Sequence, residues 1–124
     1  MKVTLQKLFA AHPAFEILGM QFFALDKIIP ARNLFEQINT HYASIAKKQE
    51  ELLSFYGTKN DEGKWDVADD KKPFYEKELN EYLSDEVELD WEPANIDDLG
   101  DIRMPMAAFQ LLEFLFVAEE LPVK

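Results

Sequence analysis

The stretch PARNLFEQINTHYASIAKKQEELLSFYG, residues 30–57, decides the fold that we predict for this chain. Its apolar positions recur every three or four residues, the spacing of one face of an α-helix. Pro30 suits the first turn of a helix, and Gly57 stands where helices commonly stop. We therefore predict one long helix from Pro30 to Tyr56. Its heptad-like stripe, with one polar interruption, consists of Phe35, Ile38, Tyr42, Ile45, Gln49, Leu52 and Tyr56.

This stripe can pack in two ways. It can cover the core of its own domain, or it can form a short coiled coil with a second chain. Because the stripe spans only three heptads, we favour packing within the domain. That interpretation predicts burial of Phe35, Ile38, Ile45 and Leu52.

Short helices and an ambiguous segment precede the long helix. Thr4 can cap a helix from Leu5 to Ala11, with Leu5, Leu8 and Phe9 on one face. Pro13 begins a second turn that Gly19 ends. The segment from Met20 to Ile29 is dense in apolar residues and fits a strand, a loop or a helix.

Two alternating runs predict strands after the long helix. Asn60-Asp61-Glu62-Gly63 is a turn signal, after which Trp65 and Val67 alternate with charged residues. In residues 86–92, Val87, Leu89 and Trp91 alternate with carboxylates. We predict that the two runs pair as a small antiparallel ribbon. Between them, Pro73 opens a helix that ends near Leu83, with Tyr75, Leu79 and Tyr82 on one face.

The last third of the chain adds a capped turn and an apolar helix. Asn95 is predicted to cap a turn that ends at Gly100. Pro105 then starts a helix from Met106 to about Val117. The predicted fold is α+β and predominantly helical, as a single domain over residues 1–124, with a long central helix, shorter helices and a two-stranded antiparallel ribbon.

The apolar residues of the last helix are too many for one stripe. Phe109, Leu112 and Phe116 can face the core together. We expect part of the remaining set to be exposed and covered by a partner chain, its own or another: Met106, Leu111, Phe114 and Leu115. The alternative is that residues Met20 to Ile29 wrap over this helix and complete the core.

Composition limits the function classes. The net charge is −11, and residues 59–124 carry nineteen acidic side chains against seven basic ones. Direct nucleic-acid binding requires clustered Lys and Arg, so we do not expect it. No cysteine, signal peptide or membrane-length apolar run is seen, which indicates an intracellular protein that is not secreted by a signal peptide.

The usual signatures of catalysis are missing. The histidines His12 and His41 lack metal-ligand spacing, and either is more typical of a surface or structural side chain than of a catalytic base. The four glycines are too far apart for a phosphate-binding loop, and Asp97, Asp98 and Asp101 lack the calcium-loop pattern. We therefore predict no catalytic residue, no metal and no cofactor.

A run of carboxylates without any basic residue is the clearest candidate binding feature. Four of these alternate along the predicted strand, about 7 Å apart on one face. Such a face can mimic nucleic acid and block a basic groove, or it can be a solvated strand face that prevents aggregation. The candidate residues are Asp85, Glu86, Glu88, Asp90, Glu92, Asp97, Asp98 and Asp101.

The order of these parts resembles a loose group of small acidic proteins encoded by tailed bacteriophages and prophages. The resemblance covers about residues 28–120 and is strongest at Tyr56-Gly57, Asn80 to Leu89 and Asp97 to Ile102. It implies a phage setting, in the host cytoplasm or in the virion, and it transfers no catalytic residue.

Three functions follow as hypotheses. The first is a non-enzymatic phage accessory protein, a virion component or assembly factor, that binds another phage or host protein. The second is an inhibitor of a host or defence enzyme, acting through the acidic face as a nucleic-acid mimic. The third is an enzyme. Neither a membrane nor nucleic acid is an expected partner.

Overall fold

The computed structural model describes residues 1–117 of the chain and has the predicted α+β class, with helix predominating. The predicted domain extends to Lys124, and residues 118–124 lie outside the described range. Within residues 1–117 the helices are α1 Leu5–Ala10, α2 His12–Leu18, α3 Ile28–Tyr56, α4 Lys72–Leu83, α5 Ile96–Leu99 and α6 Met106–Leu112. The strands are β1 Lys2–Thr4, β2 Phe22–Phe23, β3 Gly57–Lys59, β4 Trp65–Val67, β5 Glu86–Glu88 and β6 Gly100–Asp101. Two short 3-10 turns cover Leu25–Lys27 and Glu113–Leu115.

The long helix α3 is confirmed, although it begins two residues earlier than predicted. Ile38, Ile45 and Leu52 are buried as expected, whereas Phe35 is only half-buried and contacts the rings of Phe15 and Phe23. Gly57 ends the helix in an extended conformation with φ −115°. Glycine is required there by space, since a Cβ atom would lie 2.8 Å from the carbonyl oxygen of Leu53.

The first two helices carry one side of the core. Thr4 caps α1 as predicted, because its hydroxyl oxygen accepts a 3.1 Å hydrogen bond from the Lys7 amide. Leu5 and Leu8 are buried, while Phe9 on the same helix is 38% exposed. The α1 and α2 helices pack on α3 and α6, so one apolar centre serves most of the described chain.

The predicted pairing of residues 65–67 with residues 87–91 is wrong. Strand β4 pairs instead with β3, its neighbour across the Asn60–Gly63 turn, and β5 pairs with the N-terminal strand β1. Alternation shows which side chains face the core, and it carries no information about which strand is the partner. A third antiparallel pair joins β2 to β6.

The predicted C-terminal helix is too long. Helix α6 ends at Leu112, and a 3-10 turn leads to an extended Phe116. Beyond that turn the backbone bonds to Ala94, whose amide donates to the Leu115 carbonyl and whose carbonyl accepts from the Val117 amide. These bonds replace the helical ones and end the helix. Among residues 1–117, none of the helices combines the length and apolar character that a membrane crossing requires.

Candidate protein-binding surface

The acidic candidate residues are all exposed, but they do not form one row. Strand β5 covers only residues 86–88. Just beyond it, the amide of Trp91 donates to the carbonyl of Leu89, which makes a tight turn at Asp90 and bends the chain. The prediction of four evenly spaced carboxylates along one strand is therefore wrong. The buried side chains of Leu89 and Trp91 preserve the alternation of exposure without a strand.

The first acidic group lies beside basic groups. Glu88 is opposite Lys2 in the β1–β5 pair, and its carboxylate lies 3.1 Å from the amino group of Met1. Glu86 is opposite Thr4, and Asp85 precedes the strand. The positive charges next to Glu88 reduce the field of this group.

The second acidic group lines a cleft. Asp90 and Glu92 stand at a cleft of about 390 Å³ with Ile29, Trp91 and Lys27 in its wall. The amide of Asp90 donates a 2.7 Å hydrogen bond to Oε1 of Gln37, which fixes this stretch against α3. Cleft and carboxylates therefore lie beside the start of the long helix.

The third acidic group lies on α5 and β6. Asp97 and Asp98 belong to the first turn of α5, where the side chain of Asn95 accepts from the Asp97 amide at 3.0 Å. Asp101 in β6 forms an ion pair with Arg103 at 3.1 Å. Two of these three carboxylates thus have no ion-pair partner among the residues that the structure describes.

The apolar candidates on the last helix divide between surface and core. Met106 is 76% exposed and Leu111 is 40% exposed, in accord with the expected partial exposure of this set. Phe114 is half-buried, with its ring 6.2 Å from that of Phe15. Leu115 is wholly buried, so its predicted place on a partner-binding surface is wrong. The 3-10 turn directs Leu115 inward, where its carbonyl accepts a 2.9 Å hydrogen bond from Nε1 of Trp91.

Several exposed large apolar side chains of the described chain lie in the segment Met20 to Ile29. This is the segment that the alternative prediction placed over the last helix. That expectation is wrong, because five large side chains of this segment are exposed and only Phe23 packs against the core. We call this area the Met20–Ile29 surface. It consists of Met20, Phe22, Leu25, Ile28 and Ile29, with exposed fractions of 73%, 78%, 89%, 46% and 59%.

Backbone bonds hold the Met20–Ile29 surface in place. In the β2–β6 pair, Phe22 lies opposite Asp101 and Phe23 opposite Gly100. The amide of Ala24 donates to the Leu99 carbonyl at 2.7 Å. Gly100 has φ +133°, and a Cβ atom there would lie 2.6 Å from the amide nitrogen of Ala24. The segment is thus bound to the α5–β6 region.

The chain before the last helix is bonded to the same segment. The amide of Arg103, three residues before Met106, donates a 2.7 Å hydrogen bond to Oε1 of Gln21.

His12 and Tyr42 line two shallow grooves on the surface. The His12 ring contacts the Tyr42 ring edge-on, with centroids 4.6 Å apart, and its Nδ1 lies 3.8 Å from Glu16. Burial, with a smaller contribution from Glu16, raises the pKa of Tyr42 well above its ordinary value. Among the described residues, no three His, Asp or Glu side chains cluster as a metal site would require.

Comparisons with known proteins give no family, curated protein or solved structure that matches the chain.

Proposed function

We propose that this chain is a non-enzymatic accessory protein of a tailed bacteriophage that acts by binding another protein, as a virion component or an assembly factor. The observation that carries the protein-binding part is the Met20–Ile29 surface, where five large apolar side chains are exposed within ten residues. A concentration of exposed large apolar side chains is typical of interaction sites.

The core does not need this segment to be complete. Leu8, Ile38, Leu112 and Leu115 are wholly buried, although Met20, Phe22 and Leu25 are each more than 70% exposed. Exposing the segment forgoes stabilisation, because full burial of such a side chain contributes about 1.5–3 kcal/mol. A partner that covers the surface would recover that free energy as affinity, less the cost of association.

The phage setting is supported by the resemblance in the order of parts, above all at Tyr56-Gly57 and Asp97 to Ile102. A second candidate function is inhibition of a host or defence enzyme. It is favoured by the exposure of all eight acidic candidates from Asp85 to Asp101. Their division into three groups favours contact with separate basic patches over mimicry of a regular phosphate row.

Mass spectrometry of purified phage particles, with the protein tagged in infected cells, tests this proposal. A virion component is retained in particles at a fixed stoichiometry, and an assembly factor is found with assembly intermediates. An inhibitor is absent from both, is made early, and alters host survival when it is expressed alone. A chain that co-purifies with no phage or host protein under any of these conditions would overturn the protein-binding proposal.

A further inference from the structure

We infer that the Met20–Ile29 surface binds a partner segment that is both apolar and basic, an inference that rests on the proposed protein-binding function. The centre of the surface is apolar, with Phe22 and Leu25 exposed to 78% and 89%. These two side chains lie just before α3, whose first residue, Ile28, is also exposed. The apolar centre would take aliphatic or aromatic side chains of the partner.

Carboxylates lie near these apolar side chains in three places. Asp26 belongs to the segment itself, in the 3-10 turn that follows Ala24. The bond between Ala24 and Leu99 brings α5, with Asp97 and Asp98, next to the segment. Asp90 and Glu92 share a cleft with Ile29.

The carboxylates of this rim form no ion pair within the described chain. None of the five carboxylates Asp26, Asp90, Glu92, Asp97 and Asp98 has an ion-pair partner among residues 1–117. Of the nearby basic groups, Arg103 is bound to Asp101 and Arg32 to Glu36, while Lys27 lies half-buried in the cleft wall. Five carboxylates against the single lysine Lys27 leave the rim with an excess of negative charge, which Lys or Arg side chains at the edge of a partner segment would complement.

The same rim argues against other occupants. In a symmetric dimer through this surface, the carboxylates of one copy would face those of the other, which is unfavourable at close range. An anionic membrane would be repelled for the same reason. A basic apolar segment satisfies both the patch and its rim.

A titration with a synthetic peptide tests the inference on the full chain. The probe is a fluorescent 14-residue amphipathic peptide of Leu and Lys, and binding is followed by fluorescence anisotropy. Matched peptides replace every Leu by Ser or every Lys by Glu. The protein variants are the double variant Phe22→Ser/Leu25→Ser and the control Phe55→Ser. Phe55 is 75% exposed, and it lies about 40 Å along α3 from Ile28.

We expect the Leu-Lys peptide to bind the wild-type chain and the Phe55→Ser variant with the same affinity. The double variant should bind at least tenfold more weakly, as should the wild-type chain with either matched peptide. Equal affinity of the double variant, or no binding by the wild-type chain, would overturn the inference. Circular dichroism and the unfolding midpoint are measured for each variant to show that it remains folded. The variant Asp90→Asn/Glu92→Gln leaves the apolar patch intact and removes two charges of the rim, so it should weaken binding severalfold.

Other occupants give different results. Self-association in sedimentation that Phe22→Ser/Leu25→Ser abolishes would replace the basic segment by a second copy, and binding to anionic phospholipid vesicles would replace it by a membrane. Failure of this inference can be told from failure of the proposed function. A native protein partner that binds the double variant as tightly as the wild-type chain would overturn the inference and leave the protein-binding function in place.

Discussion

The hydroxyl group of Tyr42 in α3 donates a 2.8 Å hydrogen bond to the main-chain carbonyl of Leu8 in α1. The bond joins the long helix to the first helix at a point where Tyr42 also contacts the rings of His12 and Phe15. It is therefore one of the polar contacts that fix the angle between the N-terminal helices and α3.

Replacing Tyr42 by Phe tests this bond through the pH dependence of stability. At pH 7, Tyr42→Phe should lower the free energy of unfolding by about 1 kcal/mol, the net value of such a bond. The raised pKa in the folded state means that Tyr42 contributes stability below its ordinary value of 10.0, and that this contribution is lost as the pH rises above 10. The wild-type chain should thus lose more stability in urea between pH 9 and 11 than the variant does. Parallel curves for the two proteins would show that burial does not affect the ionisation of Tyr42.

The buried stripe of α3 gives a second prediction. Ile45 is 2% exposed, so Ile45→Ala should lower the free energy of unfolding by about 2–5 kcal/mol. Lys47→Ala, two residues later on the exposed side of the helix, should change it by no more than about 0.5 kcal/mol. Chemical denaturation measures both. An unchanged midpoint for Ile45→Ala would mean that the stripe does not pack inside the domain.

Glycine 100 gives a third prediction, because it holds the exposed apolar segment against α5. Gly100→Ala should cost about 3 kcal/mol in strain, and the added Cβ would displace β2. Gly63→Ala is the matched control, since φ is +77° there and the space around it is open, and it should cost about 1–2 kcal/mol. Denaturation compares the two, and NMR shifts of Phe22 and Ala24 report the displacement. Equal costs would mean that the β2–β6 contact tolerates a side chain.

The two tryptophans should differ in accessibility. Trp91 is buried and its Nε1 bonds to the Leu115 carbonyl, whereas Trp65 is half-buried under Lys59, whose Nζ lies 5.1 Å from the ring centroid. In the Trp65→Phe variant, acrylamide should quench the remaining fluorescence severalfold less than in the Trp91→Phe variant. Similar quenching constants in two folded variants would contradict the packing of residues 89–91 on the core.

The acidic groups should differ in how they affect association. Asp90 lies in the rim of the Met20–Ile29 surface, while Glu88 lies beside the Met1 amino group and Lys2. Asp90→Lys should therefore slow association with the Leu-Lys peptide by about three- to tenfold at low salt, with little change in dissociation. Glu88→Lys should have a smaller effect. Stopped-flow rates at several salt concentrations measure this, and equal effects would place the peptide elsewhere.

Local signals in the sequence were sufficient for the elements that depend on neighbouring residues. Pro30, the three-and-four spacing and Gly57 predicted α3 to within two residues at its start and without error at its end. Thr4 and Asn95 were predicted as caps, and both side chains accept the expected hydrogen bonds. The caps at Thr4 and Asn95 and the last bond of α3, from Gly57 to Leu53, each join residues at most four apart, so the sequence pattern contains them.

Contacts between distant residues could not be read in the same way. Nothing in Lys2–Thr4 indicates that this strand pairs with Glu86–Glu88, because three residues carry little alternation. For the candidate site, the acidic residues were predicted to be exposed and are exposed. The apolar composition of the Met20–Ile29 segment is compatible with a buried cover over the last helix, which is why exposure does not follow from it. The backbone of this segment is bonded to Gly100 and Leu99, contacts between residues more than 70 positions apart that a local pattern does not contain.

The pairing of β1 with β5 also determines the order in which the chain can fold during synthesis. Lys2–Thr4 has no strand to join until the ribosome has passed Glu88, so the first helices emerge well before their sheet partner exists. Contacts between such distant residues slow folding. During this delay the nascent chain presents the apolar side chains of α1, α2 and Met20–Ile29, while most of its carboxylates are still to be translated. Its charge therefore protects the finished protein from aggregation better than it protects the growing chain. A chaperone would matter most between the emergence of the first helices and the synthesis of Glu86–Glu88.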